Sequence, residues 1–138
     1  MTIRYSLDSP SARAFKALYD TTGWSAETRD VSYFAAALAG SWATCSAYKG
    51  DELVGIGRVI SDGALHAFIT EMIVDERRRG EGIGGEILKR LIATCDTAGV
   101  TDIQLFCADG RADFYRSRGF EPRPDNAPGM QYVGTANG

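Results

Sequence analysis

Three consecutive arginines, Arg77, Arg78 and Arg79, run directly into glycines at 80, 82, 84 and 85. Guanidinium groups supply charge-assisted hydrogen bonds to anionic oxygens. Glycines remove side chains that would hold an anion away, and they permit the positive φ that lets a loop curl its amides inward. The segment also lies at a change of rhythm. The stretch before it reads as a strand ending near Asp75, whereas Ile83, Ile87, Leu88, Leu91 and Ile92 recur at helical spacing after it. The first turn of a helix has N–H groups without internal partners and carries the positive end of the macrodipole. Strand, glycine turn and helix start together predict a cradle for a pyrophosphate. The plainer reading is a solvated basic turn before an ordinary amphipathic helix, and the glycine density argues against it.

Two familiar phosphate motifs fit poorly. The segment contains no GxxxxGK[ST], so it is not a Walker loop. Gly80, Gly82 and Gly85 match GxGxxG, but the match follows an antiparallel meander, and too few residues come after it to complete a dinucleotide-binding sheet. The next strand, IQLFC, also lacks a terminal acidic residue.

The elements that must position this turn follow from pattern and punctuation. Ile3, Tyr5 and Leu7 alternate as a strand over 3–7. Ser9-Pro10 reads as the start of a helix with Phe15, Leu18 and Tyr19 on its apolar stripe, ending near Gly23. Asp30 reads as the cap of a second short helix bearing Val31, Phe34 and Leu38, with Gly40 after its end. Strands are expected at 42–49, 53–60 and 65–75, the last two joined by the hairpin signal Asp62-Gly63. A helix to Gly99, with Glu86 and Arg90 as an exposed pair, leads to a buried strand at 102–107. The strand, helix and strand across 65–107 form a βαβ crossover, so that strand pair should be parallel and the sheet mixed. A helix over 110–120, for which Asp109 is a candidate cap, a proline-rich loop at 122–128, a last strand at 130–133 and a loose tail at 134–138 complete the chain.

A length of 138 residues suggests one domain, 1–138, with a core that needs no staples. The net charge of −3 lacks the broad basic face of non-specific nucleic-acid binding. Cys45, Cys95 and Cys107 form no CxxC, which argues against a disulfide frame or a zinc site; no metal is expected and a reducing compartment is. The N-terminus lacks the apolar run of a signal peptide, and no stretch approaches a membrane span. The chain therefore reads as cytoplasmic, with no membrane and no nucleic-acid partner.

Arg79-Gly80-Glu81-Gly82-Ile83-Gly84 follows the pattern Q/R-x-x-G-x-G/A on the turn after a fourth strand. Residues 112–120, ADFYRSRGF, place Phe114-Tyr115 on a helix that stops at Gly119-Phe120. In both segments, and in the order of its elements, the chain resembles the GNAT superfamily of N-acetyltransferases. Asp75-Glu76 departs from it, standing where many members have His-Pro or a similar pair. The resemblance implies an α+β fold: a mostly antiparallel mixed sheet of six to seven strands, flanked by about four helices, with a central βαβ unit. It implies acetyl-CoA as co-substrate in a split between the fourth and fifth strands. Backbone groups of Arg79, Gly80, Glu81, Gly82, Ile83, Gly84 and Gly85 would hold the pyrophosphate, and those of Met72, Ile73 and Val74 would pair with the pantetheine like an added strand. The acceptor would be a primary amine of a small molecule or peptide. Homodimers are common in the family.

Direct transfer to an amine needs one proton removed and another delivered. The resemblance points to Tyr115 as the general acid for the departing thiolate, against the reading that Phe114-Tyr115 only fills a core. Glu71 is the best-placed base. Strict alternation puts it on the face of Ile69 and Ile73, where desolvation would raise its pKa. A bulge would re-aim it, and an outward structural charge is the competing reading. His66, the only histidine, reads as structural. Cys107 lacks a basic partner and reads as a small buried hydrophobe. Trp24, in TTGWS, either contacts the acceptor or simply packs. A CoA-binding sensor or subunit without catalysis is the alternative to an enzyme.

Overall fold

Turn chemistry sets the central meander. Gly50, at φ +60°, turns β2 (Ala43–Lys49) into β3 (Glu52–Ser61). Asp62 Oδ1 accepts the N–H groups of Ala64, Leu65 and His66 at 2.9, 2.8 and 3.2 Å, which closes β3 onto β4 (His66–Val74). The structure, a computed structural model, describes residues 2–25 and 27–134. It comprises two compact units, Met1–Leu105 and Phe106–Gly138.

In the first unit β1 (Ile3–Ser6), β2, β3 and β4 pair antiparallel in sequence order. β5 (Asp102–Leu105) then pairs parallel with β4, from His66↔Asp102 to Ile69↔Leu105. The mixed sheet and its βαβ unit are as expected. The number of strands is not: five are seen among the described residues, not six or seven. Residues 130–133 form no strand, and Met130, Tyr132 and Val133 are 83–87% exposed. A four-residue apolar run carries β-propensity but says nothing of a partner edge. The tail lies, from residue 135 on, outside the described residues.

Helices α1 (Ala12–Asp20) and α2 (Val31–Ala39) cover one face of the sheet. Phe15, Leu18, Phe34 and Leu38 pack there with Leu53, Ile56 and Ile73. The N-cap of α1 is Ser11, whose hydroxyl accepts from Ala14 N at 3.1 Å, and not Ser9. Pro10 therefore precedes the helix. Asp30 is the N-cap of α2 by position, but its carboxylate accepts from the Ser32 hydroxyl at 2.7 Å and makes no capping bond. Helix α3 (Ile83–Ala98) covers the opposite face and ends at Gly99 in the left-handed region, φ +80°. Its fit depends on two glycines of β3. A Cβ on Gly55 would stand 3.0 Å from Ile83 and Ile87, and one on Gly57 would stand 2.5 Å from Met72 Sδ and 2.9 Å from Leu91. The helix therefore lies directly on bare backbone, and Ile87, Leu88, Leu91 and Cys95 are wholly buried.

The second unit holds α4 (Ala112–Arg116), shorter than the sequence suggests and begun by Arg111, not Asp109. The strand expected at 102–107 stops at Leu105. Phe106 is 64% exposed and Cys107 is exposed, so Cys107 is not the buried hydrophobe expected of it. Continuation of an apolar run does not fix where pairing stops.

Candidate active site

One residue breaks the pleat of β4. Arg58 pairs with Thr70 and Ile56 with Ile73, so Gly57 alone opposes both Glu71 and Met72. Glu71 is the extra residue of a β-bulge and takes φ +52°, the only non-glycine residue with positive φ among those described. Strict alternation therefore fails at this position. The Glu71 carboxylate meets Arg58, whose Nε and Nη2 both donate to Oε1, at 3.1 and 2.9 Å. The remaining amine of that guanidinium, Nη1, donates to Ala37 O and to the Ser41 hydroxyl at 3.4 and 3.3 Å. Arg58 thus ties a strained strand residue to the C-terminal end of α2. Both side chains are largely buried, at 12% and 18% exposure, so the pair is shielded from the screening that weakens surface ion pairs. Sequence reasoning passed over Arg58. The available signal was its position as the lone charge within the apolar run LVGIGRVI.

Beyond the bulge, β4 carries Met72, Ile73 and Val74 past the last residue that pairs with β5. Met72 turns its thioether toward Gly57 and α3, and Ile73 packs toward α1 and α2. The strand leads into a single 3-10 turn, Glu76–Arg78, capped by Asp75. Arg77 is fully engaged in this turn. It bonds both oxygens of Asp75, the closest at 2.7 Å, and Glu52 Oε1 at 2.9 Å. Hydrogen bonds from Arg77 hold the Asp75 carboxyl below the ordinary carboxylate range, against a smaller opposing effect of burial. Arg79 and Glu81 are exposed, and Arg78 is half-buried.

Gly80 and Gly82 take φ +87° and +81°, and neither would find an atom within 4 Å of an added Cβ. Glycine is needed here for backbone shape and not for room. Gly82 is the N-cap of α3 and offers no capping side chain. The first intrahelical bond runs from Glu86 N to Gly82 O at 3.1 Å. The N–H groups of Ile83, Gly84 and Gly85 thus point out of an uncapped helix start. Ile83 itself is buried against β3 and anchors the turn. Bare amides, the positive end of a 16-residue helix and a nearby guanidinium suit a diphosphate. A hollow of about 320 Å³ lies elsewhere in the first unit, at the opposite end of β4 beside Ile60, His66, Phe68 and Gln104. It is an open depression, and the local chemistry of the glycine turn outweighs its size. His66 there bonds Asp102 through Nδ1 at 2.7 Å.

Trp24 is 49% exposed, its ring edge-on to Tyr19 with centroids 6.0 Å apart, beside a small cleft of about 50 Å³ that Asp20 and Glu27 also line. In the second unit Tyr115 is 7% exposed and lies edge-to-face with Phe114 and Phe120, at 5.0 and 5.9 Å. Burial raises its pKa above the ordinary phenol value; the Cys107 thiol adds to the rise and Arg111 opposes it. The phenol is therefore fully protonated at neutral pH. Among the described residues no cluster of three or more His, Cys, Asp or Glu could hold a metal ion. No helix among them is long and apolar enough to cross a membrane.

The architecture is shared with solved structures. A probable acetyltransferase of unknown function from methicillin-resistant Staphylococcus aureus superposes with a TM-score of 0.84 at 23% identity, over 97% of this chain and 100% of that one. The two share a mixed-sheet fold. In sequence, residues 9–120 match the family model described as Acetyltransferase (GNAT) family, and the chain belongs to that family. The soybean (Glycine max) histone acetyltransferase TAP1 is 34% identical over 126 residues, covering 83% of this chain and 54% of the soybean protein. An Arabidopsis thaliana relative, GCN5-related N-acetyltransferase 2, chloroplastic, is 33% identical over 79 residues, or 57% of this chain and 31% of its own. The chain thus spans about half the length, or less, of these curated relatives.

Proposed function

We propose that the protein transfers an acetyl group from acetyl-CoA directly to a primary amine of a small molecule or peptide. The observation that carries this reading is the uncapped, glycine-led start of α3 immediately after a bulged strand, in a chain of the acetyltransferase family. Acetyl-CoA supplies an activated thioester. The main-chain amides of 80–85 receive its diphosphate, the Arg79 N–H being bonded to Glu76 O, and the backbone of Met72, Ile73 and Val74 pairs with its pantetheine as an added strand.

The amine nitrogen forms a bond to the thioester carbonyl carbon, the carbon–sulfur bond breaks, and the nitrogen gives up one proton. Glu71 is the proposed acceptor of that proton, directly or through water. Its Oε1 takes both Arg58 hydrogen bonds, which leaves Oε2 to work. Tyr115 supplies a proton to the departing thiolate and regains one from solvent. Its raised pKa keeps that proton in place until it is needed, and a positioned general acid contributes about 10²–10⁴ in rate. Trp24 is the proposed acceptor contact. Three free cysteines, two buried and one exposed, fit a compartment that keeps thiols reduced, the cytoplasm or a plastid alike.

A thermal melt with acetyl-CoA tests the reading. At about 100 times Kd the ligand adds about 2.7 kcal/mol, a midpoint rise of about 5–15 °C for a domain of this size. Gly84→Asp, which puts an anion at the helix start, should abolish the rise, and NADH should give none. Thiol release with a panel of amines then separates an enzyme from a CoA-binding sensor. Turnover that falls in Tyr115→Phe with the thermal shift intact supports the assigned acid; binding without turnover of any amine favours the sensor.

A further inference from the structure

The ion pair across the bulge is lopsided. Arg58 aims two nitrogens, Nε and Nη2, at a single oxygen of Glu71, Oε1, and Oε2 accepts from no described residue. A pair built only to hold would set one nitrogen on each oxygen, fork on fork. The third nitrogen, Nη1, reaches the end of α2. It donates to Ala37 O and to Ser41 Oγ, and that hydroxyl in turn donates to Ala37 O at 2.8 Å. Ala37 O is among the last carbonyls of the helix, and Ser41 N, which would close the next turn onto it, bonds Leu38 O instead. Such carbonyls carry the negative end of the helix dipole. The guanidinium therefore lies between two negative groups, one of backbone and one of side chain.

Stability alone does not account for the pair. A largely buried ion pair contributes little over an uncharged pair of the same shape. The bulge itself asks only for a residue at φ +52°, which glycine supplies without strain. A carboxylate kept in that conformation, with a guanidinium matched to it, marks a functional constraint. We infer that Arg58 is a positioning residue for proton removal from the acceptor: anchored on the C-terminal end of α2, it engages Oε1 and leaves Oε2 as the working oxygen of the base. The inference rests on the assignment of Glu71 as base and deepens it. Arg58 acts through Glu71 and on neither substrate. Lysine, with one nitrogen, can serve Glu71 or the end of α2 but not both in this way.

A kinetic double-mutant cycle separates this role from a merely structural one. Thiol release from acetyl-CoA is followed with butylamine, benzylamine and a lysine-containing peptide, and the fastest of these serves as acceptor. Glu71→Gln, which keeps the shape and an oxygen for Arg58, should lower kcat by about 10²- to 10⁴-fold. Arg58→Met should lower kcat by about 10- to 100-fold and hold the KM for acetyl-CoA within about threefold of wild type. In the Glu71→Gln background the same change should lower kcat by less than about twofold more, because the group it positions is gone. Arg58→Lys should fall between Arg58→Met and wild type, and it takes the place of Arg58→Met in the cycle if that variant does not fold. Three results would overturn the inference. They are an Arg58→Met kcat equal to wild type, a loss that appears only in the KM for acetyl-CoA, or equal kcat losses in the two backgrounds. Wild-type protein that acetylates none of the three amines, or Glu71→Gln that keeps the wild-type kcat, instead removes the assignment beneath it, so the two failures are told apart.

Discussion

Two pairs of glycines serve opposite ends. Gly55 and Gly57 lie in the middle of β3, where a Cβ would run into Ile83, Ile87, Leu91 and Met72. Gly80 and Gly82 lie in the turn before α3, where a Cβ would meet nothing within 4 Å but the backbone has positive φ. The first pair answers a shortage of space and lets a helix lie on a sheet. The second answers a demand on the chain's path and leaves amides facing outward. One region spends glycine on cohesion and the other on reception, so substitutions in the two should separate stability from ligand binding.

The most damaging single change should be on the helix side of the packed seam. Ile87→Ala removes a wholly buried side chain from α3 and should lose about 2–5 kcal/mol in chemical denaturation. Gly57→Ala should lose about 1–3 kcal/mol by crowding the same seam and should change the CoA Kd far less than a substitution in the glycine turn. The double variant sharpens the point: trimming Ile87 relieves one of the three close contacts of the new methyl and leaves those to Met72 and Leu91, so the two losses should fall only somewhat short of their sum. Additive losses would mean that the seam relaxes elsewhere. Gly82→Ala should lose about 1–2 kcal/mol, from left-handed strain alone. Its CoA binding should nonetheless fall far more than that of Gly57→Ala.

The smallest effect is an alkaline one in the core that α3 covers. Burial pushes the Cys45 thiol from 9.0 to about 11; Arg90 opposes the rise and Glu86 adds slightly to it. Between those values the unfolded chain gives up a proton that the native chain keeps. Stability should therefore fall as pH rises from about 9 to 11, and Cys45→Ala should flatten that fall in melts taken across the window.

Much of this was legible in the sequence because it is local. Hairpin turns, the apolar stripe of α3 and the glycine turn depend on residues within a few positions of one another. The fate of the arginines was legible only in part, because Arg77 is held by Asp75, two positions away, and also by Glu52, 25 positions away. The partner of Glu71 was hidden for the same reason, since Arg58 lies on a neighbouring strand. Periodicity showed strands but not their ends or partners, so 102–107 read as longer than it is and 130–133 read as a strand. The dual reading of Glu71, base or outward structural charge, could not be resolved by alternation, because the bulge that re-aims it is a departure from alternation.

That departure has a further consequence for editing the gene. Flanking pairs on both sides of Glu71 already face each other in phase, so excising its one codon would leave every neighbour on its present face of the sheet. Most single-residue deletions inside a strand scramble the side chains downstream. This one should give a straightened β4 with its downstream faces intact, and its cost should come from the largely buried Arg58 guanidinium left without its carboxylate partner.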